Sequence, residues 1–416
     1  MEERNRRAAV MRAEELKRRI DDYLRERERI PKGLERRHEN DAGKARMLDY
    51  FHAGPSDWDD WRWQLSHRVG DAQTLARLLS LTDRERERIA AVGERFRFAV
   101  SPYYLSLVDP ADPTDPIRRQ AVPHPFELLD PEGEDDPMAE ERTSPAGCIT
   151  RRYPDRLILN VTNECASYCR HCQRRRNIGS VDRVASDRTI ETSIAYVREH
   201  PEIRDVLVTG GDPFTMPTPR LEKILAALRA IPSVEIIRVG TRTPVTLPMR
   251  IDDDLCAMLA KYHPLYVNTH FNHPMEVTRE AGEACARLSA AGIPIGNQTV
   301  LLNGVNDDPF VMRCLNQELL KIRVRPYYLF HAKTVRGTSH FRTSFDDGLR
   351  IMEYLRGYTS GLAIPQYIVN APGGLGKTPL LPDYVLERTP DHLTIRTWER
   401  VVLRIPDRPT RPFPED

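Results

Sequence analysis

The sequence predicts an α/β fold, a partial (β/α)6 barrel with an N-terminal helical region and a C-terminal extension. Two observations predict it. After Thr150, six short β-rich runs alternate with patterns of helical period, and this alternation indicates βαβ units in a parallel sheet. Before Thr150 the patterns are mainly helical and end in a Pro-studded stretch. A barrel of this kind carries its chemistry on the loops that follow the strands.

The predicted elements follow one another in a regular order. The β-rich runs lie at 157–161, 206–209, 234–239, 265–269, 293–301 and 324–330. The helical patterns lie at 188–199, 219–230, 252–261, 277–290, 309–321 and 346–356. A seventh β-rich run, 366–369, leads into a glycine-rich segment outside the six units, and the tail beyond Asp383 carries one more β-like stretch before Pro-rich sequence. The four predicted segments are a charged helical extension (1–56), a helical region with a linker (57–150), the barrel (151–331) and a C-terminal segment (332–416).

The composition excludes several classes of partner. Lys and Arg number 62 and Asp and Glu 61, and this balance gives no reason to expect a nucleic-acid partner. No apolar run approaches the ~20 residues that span a membrane, and the N-terminus has no apolar signal-peptide core. We therefore expect a cytoplasmic protein without a membrane partner. The seven cysteines are an odd number spread over a long chain, which argues against a disulfide framework.

Three of the seven cysteines, Cys165, Cys169 and Cys172, fall within eight residues directly after the first barrel strand. A structural zinc site takes four ligands, and no fourth cysteine or well-spaced histidine lies nearby in the sequence. Three thiolates on a [4Fe–4S] cluster leave one iron open for a further ligand. The spacing favours the cluster, and structural zinc is the alternative.

This CxxxCxxC loop resembles that of the radical S-adenosylmethionine superfamily. The resemblance implies that the open iron binds S-adenosylmethionine, whose cleavage supplies a 5′-deoxyadenosyl radical. It also implies contacts with S-adenosylmethionine from the loop after the second strand and from the histidine before the third cysteine. Polar residues on other strand-end loops are further candidates. The expected contacts are Gly210, Gly211, Asp212, His171, His270 and Gln298.

A glycine-rich segment, 371–378, fits a relaxed phosphate-binding loop and so supports a nucleotidase as a rival function. Such a loop must open into a helix whose N–H groups cradle the phosphates. Pro379 follows at once and Pro382 comes three residues later, so we expect no regular helix there. A lysine beside glycines can instead form a Schiff base with an aldehyde, and Lys377 is in that position.

The region 57–383 resembles the lysine 2,3-aminomutase family of radical S-adenosylmethionine enzymes. The matching segments are DWDDWRWQL, SPYYLSLVDP, RRYPDR, CASYCRHCQRRR, TGGDP, GTRTP, NTHFNHP, GNQTVLLNGVND, IRVRPYYLF and NAPGGLGKTP. The resemblance implies an isomerase that moves an amino group between carbons 2 and 3 of an amino acid. It makes Lys377 the lysine that carries pyridoxal phosphate. It places Arg152 and Arg156 near the cofactor phosphate and Arg174 at the substrate α-carboxylate.

Two positions depart from the lysine-specific members of that family. Where those enzymes have two aspartates for the distal ammonium of lysine, this chain has Lys333 and Asn370. A distal ammonium would be repelled and a distal carboxylate attracted, so the sequence predicts L-glutamate as the substrate and β-glutamate as the product. A 2,3-aminomutase for lysine or another amino acid is the alternative. An iron–sulfur electron carrier and a P-loop nucleotidase are remote alternatives.

The resemblance also bears on metals and partners. The lysine enzyme binds zinc through cysteines of its tail and one more cysteine from a neighbouring subunit. This chain has Asp308 at that upstream position and no cysteine after Cys314, so we expect no structural zinc. The predicted partners are the amino-acid substrate, an electron donor such as flavodoxin or ferredoxin, and further copies of the chain in a homo-oligomer.

Overall fold

A nine-stranded sheet forms the centre of the fold. The computed structural model describes residues 2–407, and the Pro-rich end predicted for the C-terminal segment, 408–416, lies outside the described residues. The strands follow one another across the sheet in chain order. They are β1 (Ile149–Thr150), β2 (Arg156–Thr162), β3 (Asp205–Gly210), β4 (Ile236–Gly240), β5 (Leu265–Thr269), β6 (Ile295–Leu301), β7 (Arg325–His331), β8 (Gln366–Ala371) and β9 (Gly376–Pro379). Strands β2 to β8 run parallel, whereas the short outer strands β1 and β9 are antiparallel to their neighbours.

The described chain before the sheet is helical, as the sequence predicts. Its helices are α1 (Glu2–Arg18), α2 (Asp21–Arg29), α3 (Arg37–Phe51), α4 (Pro55–Asp59), α5 (Trp61–Ser66), α6 (Ala72–Leu78), α7 (Asp83–Arg95), α8 (Pro102–Ser106) and α9 (Pro116–Ala121). Side chains that accept hydrogen bonds from free N–H groups fix several of their starts. Thr82 and Glu85 form a capping box at α7, and Asp71 accepts from Thr74 N at α6.

Each of β2 to β7 is followed by a helix, which confirms the six β/α units that the sequence predicts. The helices of this part are α10 (Arg175–Ile178), α11 (Asp187–Glu199), α12 (Thr218–Arg229), α13 (Thr243–Thr246), α14 (Asp253–Ala260), α15 (Arg279–Ala290), α16 (Pro309–Lys321) and α17 (Phe345–Leu355). Their buried residues recur at helical spacing, because one stripe of each helix packs on the sheet. In α15 that stripe is Ala281, Ala284, Cys285 and Leu288.

The strands place alternate residues on the two faces of the sheet. In β6, buried and half-buried residues alternate along all seven positions. In β2, Leu157, Leu159 and Val161 belong to the main hydrophobic core that the helices cover. Arg156 and Asn160 therefore point to the inner face of the partial barrel. This alternation places polar and charged side chains inside the barrel, where a ligand can reach them.

The seventh β-rich run is β8, which extends the same sheet parallel to β7. The glycine-rich segment then turns the chain back as β9, in which Lys377 pairs with Asn370. The tail forms a separate three-stranded antiparallel sheet of β10 (Val385–Arg388), β11 (His392–Arg396) and β12 (Val402–Pro406). The sequence predicts one β-like stretch there, and the structure has three, because every residue of β10 and β12 is exposed and burial imposes no alternation on their sequences.

The predicted segment boundaries at 56, 150 and 331 stay a prediction. Strands β8 and β9, from the segment 332–416, lie in the same sheet as the barrel strands. Of the helices in residues 2–407, none is long and apolar enough to cross a membrane.

Candidate active site

The cysteine loop follows β2 at one end of the barrel. Cys165, Cys169 and Cys172 are half-buried and form no disulfide. The apolar side chains packed against Cys165 and Cys172 are Ala99, Tyr168 and Ile178. Burial raises the pKa of the Cys165 and Cys172 thiols, so an electropositive partner is needed to hold them as thiolates.

The three thiols suit an iron–sulfur cluster better than a single metal ion. In residues 2–407, no three Cys, His, Asp or Glu side chains converge closely enough to hold one ion. Thiolates that share a [4Fe–4S] cluster each bind a different iron, so they need not converge on one point. Three cysteines in one partly buried loop therefore fit the cluster, and their ligation of it stays a prediction.

The loop after β3 packs against the backbone of the cysteine loop. A Cβ on Gly210 would lie 2.4 Å from the carbonyl oxygen of Thr162, and a Cβ on Gly211 would lie 2.4 Å from that of Glu164. Gly210 also has a φ of +130°, which residues with side chains avoid. The close approach of two protein loops therefore requires both glycines. Their contact with S-adenosylmethionine stays a prediction.

Asp212 is buried in the same loop, and protein donors surround its carboxylate. One oxygen accepts from Thr241 Oγ1 at 2.6 Å and from Phe214 N at 3.1 Å, and the other accepts from Arg242 N at 2.8 Å. Burial raises the pKa of this carboxyl. Asp212 thus joins the end of β3 to the end of β4. Its contact with S-adenosylmethionine stays a prediction.

Arg242 reaches the cysteine loop from the end of β4. Its guanidinium donates to Cys169 Sγ at 2.7 Å and to Glu276 Oε1 at 2.6 Å. No pattern in the sequence assigns a role to this arginine, because an arginine in a short loop is usually a surface residue. Its place in GTRTP, one of the matching segments, is the signal that could have drawn attention to it.

His171, His270 and Gln298 lie at the same end of the barrel. Burial lowers the pKa of His171 well below its usual value and that of His270 to about 4, so both rings are neutral near pH 7. His270 Nδ1 lies 3.0 Å from the backbone oxygen of Gln298. His171 Nε2 lies 3.3 Å from Asn272 Nδ2, and its Nδ1 is buried without a protein partner in the described chain. Contact of the three predicted residues with S-adenosylmethionine stays a prediction.

Lys377 projects from β9 among aromatic rings. Its Nζ lies 5.4 Å from the ring centroid of Tyr153 and 6.0 Å from those of Tyr328 and Phe330. Its backbone N–H donates to Tyr153 OH at 3.0 Å. Desolvation of the ammonium end, followed by the field of Arg152, lowers the pKa of Lys377 to about 8. An amine with this pKa is partly neutral near pH 7.5 and can attack an aldehyde.

The glycine-rich segment forms a hairpin turn and not a phosphate-binding loop. Gly373 and Gly374 have φ values of +70° and +81° in the turn. Thr378 and Pro379 then continue β9 as an extended strand. A phosphate-binding loop needs a helix at this point. The nucleotidase alternative is therefore excluded.

Four arginines make the region around Lys377 positive. After desolvation, Arg152, Arg238, Arg156 and Arg174 each act to lower its pKa through space. The guanidinium carbon of Arg156 lies 3.9 Å from the ring centroid of Tyr153, which orients it. The family resemblance predicts Arg152 and Arg156 but not Arg238, and alternation in β4 does not distinguish an inner arginine from an exposed one. The contact of Arg152 and Arg156 with a cofactor phosphate stays a prediction.

Arg174 and Glu140 form a buried ion pair beside this positive region. Arg174 Nε lies 3.1 and 3.2 Å from the two carboxylate oxygens, and its Nη2 lies 3.1 Å from Oε1. Glu140 Oε1 also lies 3.5 Å from Arg152 Nη2. Burial acts to raise the pKa of Glu140, but the guanidinium groups of Arg174 and Arg152 hold it below its usual value. The carboxylate therefore fixes the orientation of two arginines.

Lys333 and Asn370 come from neighbouring parts of the sheet, just after β7 and within β8. Lys333 Nζ donates to Gln173 Oε1, next to the cysteine loop. Burial and the guanidinium groups of Arg152 and Arg174 lower the pKa of Lys333 well below its usual value. An arriving anion would oppose this effect and favour the charged ammonium. Their contact with substrate stays a prediction, as does that of Arg174.

Known proteins match this chain over most of its length. Residues 159–313 match the family model described as "Radical SAM superfamily", and residues 352–411 match the one described as "Lysine-2,3-aminomutase". A glutamate 2,3-aminomutase from Clostridioides difficile (strain 630) is 59% identical over 403 residues, which cover 97% of this chain and 96% of that protein. The chain belongs to the lysine 2,3-aminomutase family.

A second member of the lysine 2,3-aminomutase family also matches most of this chain, at lower identity. An L-lysine 2,3-aminomutase from Clostridium subterminale is 48% identical over 348 residues, which cover 83% of this chain and 84% of that protein. The resemblance predicted from the sequence is thus confirmed, and so are the radical S-adenosylmethionine fold and the enzyme class. Aminomutases are isomerases. Membership of the superfamily implies a [4Fe–4S] cluster and S-adenosylmethionine, and the cysteine loop described above fits them.

Proposed function

We propose that this protein converts L-glutamate to β-glutamate by a 2,3-amino shift. The observation that carries the proposal is the charge at the mouth of the barrel. Arg174 and Lys333 offer two cations to a substrate with two carboxylates, and Asn370 adds a neutral amide donor. The relative from Clostridioides difficile carries the name of the same activity.

The proposal assigns a second cofactor, pyridoxal phosphate, to the region around Lys377. The lowered pKa of Lys377 suits covalent attachment of an aldehyde. Arg152, Arg156 and Arg238 supply guanidinium groups of the kind that bind phosphate oxygens. When bound, the cluster and S-adenosylmethionine supply homolytic hydrogen abstraction, and pyridoxal phosphate supplies a ring that delocalises an unpaired electron.

The residues of this chain hold the substrate for that chemistry. Arg174 binds the α-carboxylate through the edge that Glu140 leaves free, and Glu140 keeps the guanidinium in one orientation. Lys333 binds the distal carboxylate, which stabilises its ammonium against the effect of burial. Lys377 would hold pyridoxal phosphate through the cofactor aldehyde, because its lowered pKa leaves part of the amine neutral near pH 7.5.

The charge of the distal group decides between glutamate and lysine. Like charges ~4 Å apart cost roughly 1 kcal/mol in water and about 4 kcal/mol at an effective dielectric of 20. The higher figure corresponds to a loss of nearly a thousandfold in kcat/KM. Bound lysine would place its ammonium against Lys333, which must then either lose its proton or bear up to this cost. Bound glutamate instead favours the charged ammonium of Lys333 and gains an ion pair with it.

A panel of amino acids tests the proposal. The anaerobically reconstituted enzyme is reduced in the presence of S-adenosylmethionine and pyridoxal phosphate and then incubated with glutamate, aspartate, lysine or alanine. Nuclear magnetic resonance should detect β-glutamate and little or no β-lysine. Faster turnover of lysine than of glutamate would make the alternative, a lysine 2,3-aminomutase, correct. Cleavage of S-adenosylmethionine by the reduced protein separates either enzyme from an electron carrier.

The remaining partners stay predictions. A low-potential electron donor such as flavodoxin or ferredoxin must supply one electron to the cluster. The homo-oligomer predicted from the sequence can be measured by light scattering of the purified protein.

A further inference from the structure

Arg242 makes a contact that the proposed function does not use. Its Nη1 lies 2.7 Å from Cys169 Sγ. Within residues 2–407, no other side chain hydrogen-bonds to a thiol of the cysteine loop. It is 8% exposed. A guanidinium is always charged in a protein. A fixed positive charge therefore touches one of the three sulfurs predicted to bind the cluster.

Buried acceptors hold this guanidinium in place. Its Nη2 donates to Glu276 Oε1 at 2.6 Å and to Gln120 Oε1 at 2.7 Å, and its Nε donates to the backbone oxygen of His270 at 3.1 Å. Glu276 and Gln120 are fully buried. The arginine cannot swing to solvent without leaving the charge of Glu276 unpaired, which is costly in a protein interior. The bond to Cys169 is thus fixed before any cofactor binds.

We propose that Arg242 is a positioning residue that raises the reduction potential of the cluster by donating an N–H···S hydrogen bond to Cys169. The inference rests on the cluster in the cysteine loop but not on the identity of the amino-acid substrate. One-electron reduction adds negative charge that the cluster shares with its thiolates. A cationic donor at one thiolate stabilises the reduced form more than the oxidised form. The electron comes from a low-potential one-electron donor.

The backbone of Arg242 connects this effect to the neighbouring loop. Its N–H donates to Asp212 Oδ2, and Asp212 N donates to the carbonyl oxygen of Glu164 at 2.7 Å. Glu164 directly precedes Cys165. The same residue therefore fixes both the sulfur of Cys169 and the loop that precedes the first cysteine.

A redox titration of the reconstituted protein tests the role of Arg242. The reduced cluster is measured by electron paramagnetic resonance with dithionite and mediators, without amino acid or pyridoxal phosphate. In Arg242→Gln, the ratio of reduced to oxidised cluster at a fixed solution potential should fall about tenfold. This fall corresponds to a decrease of ~59 mV in the midpoint potential of a one-electron couple. Arg242→Lys keeps the charge but loses the planar fork, so its ratio should fall about threefold.

Arg68 offers a matched control of equal charge. Arg68 Nη1 donates to the backbone oxygen of Cys165 at 2.6 Å, and no thiol accepts from it among the described contacts. Arg68→Gln should change the ratio less than threefold. An unchanged ratio in both Arg242 variants would overturn the proposal, and so would an equal shift in Arg68→Gln. If Arg242→Gln does not bind iron, the ratio of reduced to oxidised cluster in Arg242→Lys tests the proposal. A fall of about threefold supports it, and an unchanged ratio overturns it. Because no substrate is present, the result stands whether or not glutamate proves to be the substrate.

Discussion

At the scale of single residues, the cysteines of the loop after β2 each bind a different iron in the proposed cluster. The anaerobically reconstituted wild type should contain about four irons per chain. Cys169→Ala should therefore contain much less iron after the same reconstitution. Cys148→Ala is the matched control, because Cys148 is half-buried and hydrogen-bonded to Ser193 outside the loop. Equal iron contents in the two variants would remove the cluster from this loop.

The lowered pKa of Lys377 predicts how its reaction with pyridoxal phosphate depends on pH. The neutral amine is the reactive form, and its pKa is about 8 instead of 10.5. Below pH 8 the rate of labelling should rise about tenfold per pH unit, and above pH 8 it should level off. Borohydride reduction and peptide mapping at each pH measure it.

Lys261 is the internal control for that experiment. Its hydrogen bond to Glu222 raises its pKa, so its labelling should be slower and should still rise above pH 8. A label that appears on Lys261 and not on Lys377 would place pyridoxal phosphate elsewhere in the chain.

Residues of the candidate site differ in how far the sequence could predict them. The cysteines and Lys377 belong to short motifs whose spacing carries the chemistry. Glu140 and Arg242 gain their roles from partners 34 and 73 positions away in the chain, Arg174 and Cys169. No local pattern encodes such a pairing, and only the folded barrel reveals it.

At the scale of elements, the barrel could be predicted closely because each element has one buried face. The strand predicted at 265–269 is β5 with the same bounds, and the helix predicted at 309–321 is α16 with the same bounds. The tail could not be predicted in the same way. In β10 and β12 every residue is exposed, so burial imposes no alternation on their sequences.

The hairpin that carries Lys377 depends on the glycines of its turn. A Cβ on Gly374 would lie 2.8 Å from the carbonyl oxygen of Met138, at a φ of +81°. A Cβ on Gly373 would meet no atom of the described residues within 4 Å, although its φ is +70°. Gly373→Ala should therefore cost about 1 kcal/mol of stability from backbone strain alone. Gly374→Ala should cost more, because the clash adds to the strain.

Thermal unfolding and the absorbance of bound pyridoxal phosphate measure the effect of these substitutions. Gly361→Ala is the matched control, since its Cβ would meet no atom within 4 Å in residues 2–407 and its φ is not positive. We expect the control to behave as the wild type and Gly374→Ala to show the lowest Tm and the weakest binding of pyridoxal phosphate. Binding in Gly374→Ala equal to that in the control would mean that the turn does not position Lys377.

At the scale of the whole molecule, the chain is expected to fold without structural zinc. Asp308 stands where the family resemblance predicts a zinc-binding cysteine. It accepts from Phe310 N at 2.7 Å and Val311 N at 3.1 Å and so caps α16. Metal analysis of the purified protein should find zinc well below one atom per chain. A tightly bound zinc that resists chelators would mean that other ligands have replaced the cysteines.

The balance of charge across the barrel mouth predicts how the substrate preference can be changed. Lys333→Asp with Asn370→Asp replaces one cation and one neutral amide by two carboxylates, and Arg174 remains for the α-carboxylate. The distal carboxylate of glutamate would then face like charges, at a cost of up to about 4 kcal/mol at an effective dielectric of 20. We expect kcat/KM for glutamate to fall by up to a thousandfold and lysine to become the better substrate of the two.

Lys333→Met is the matched single variant, because it removes the cation and adds no carboxylate. It should raise KM for glutamate with a smaller effect than the double change, and it should give no gain with lysine. Iron content and the absorbance of pyridoxal phosphate should match the wild type in both variants, so that a loss of glutamate turnover reports on substrate binding. If the double variant still prefers glutamate to lysine by the wild-type ratio, the distal carboxylate does not bind at Lys333 and Asn370, and another part of the barrel must recognise it.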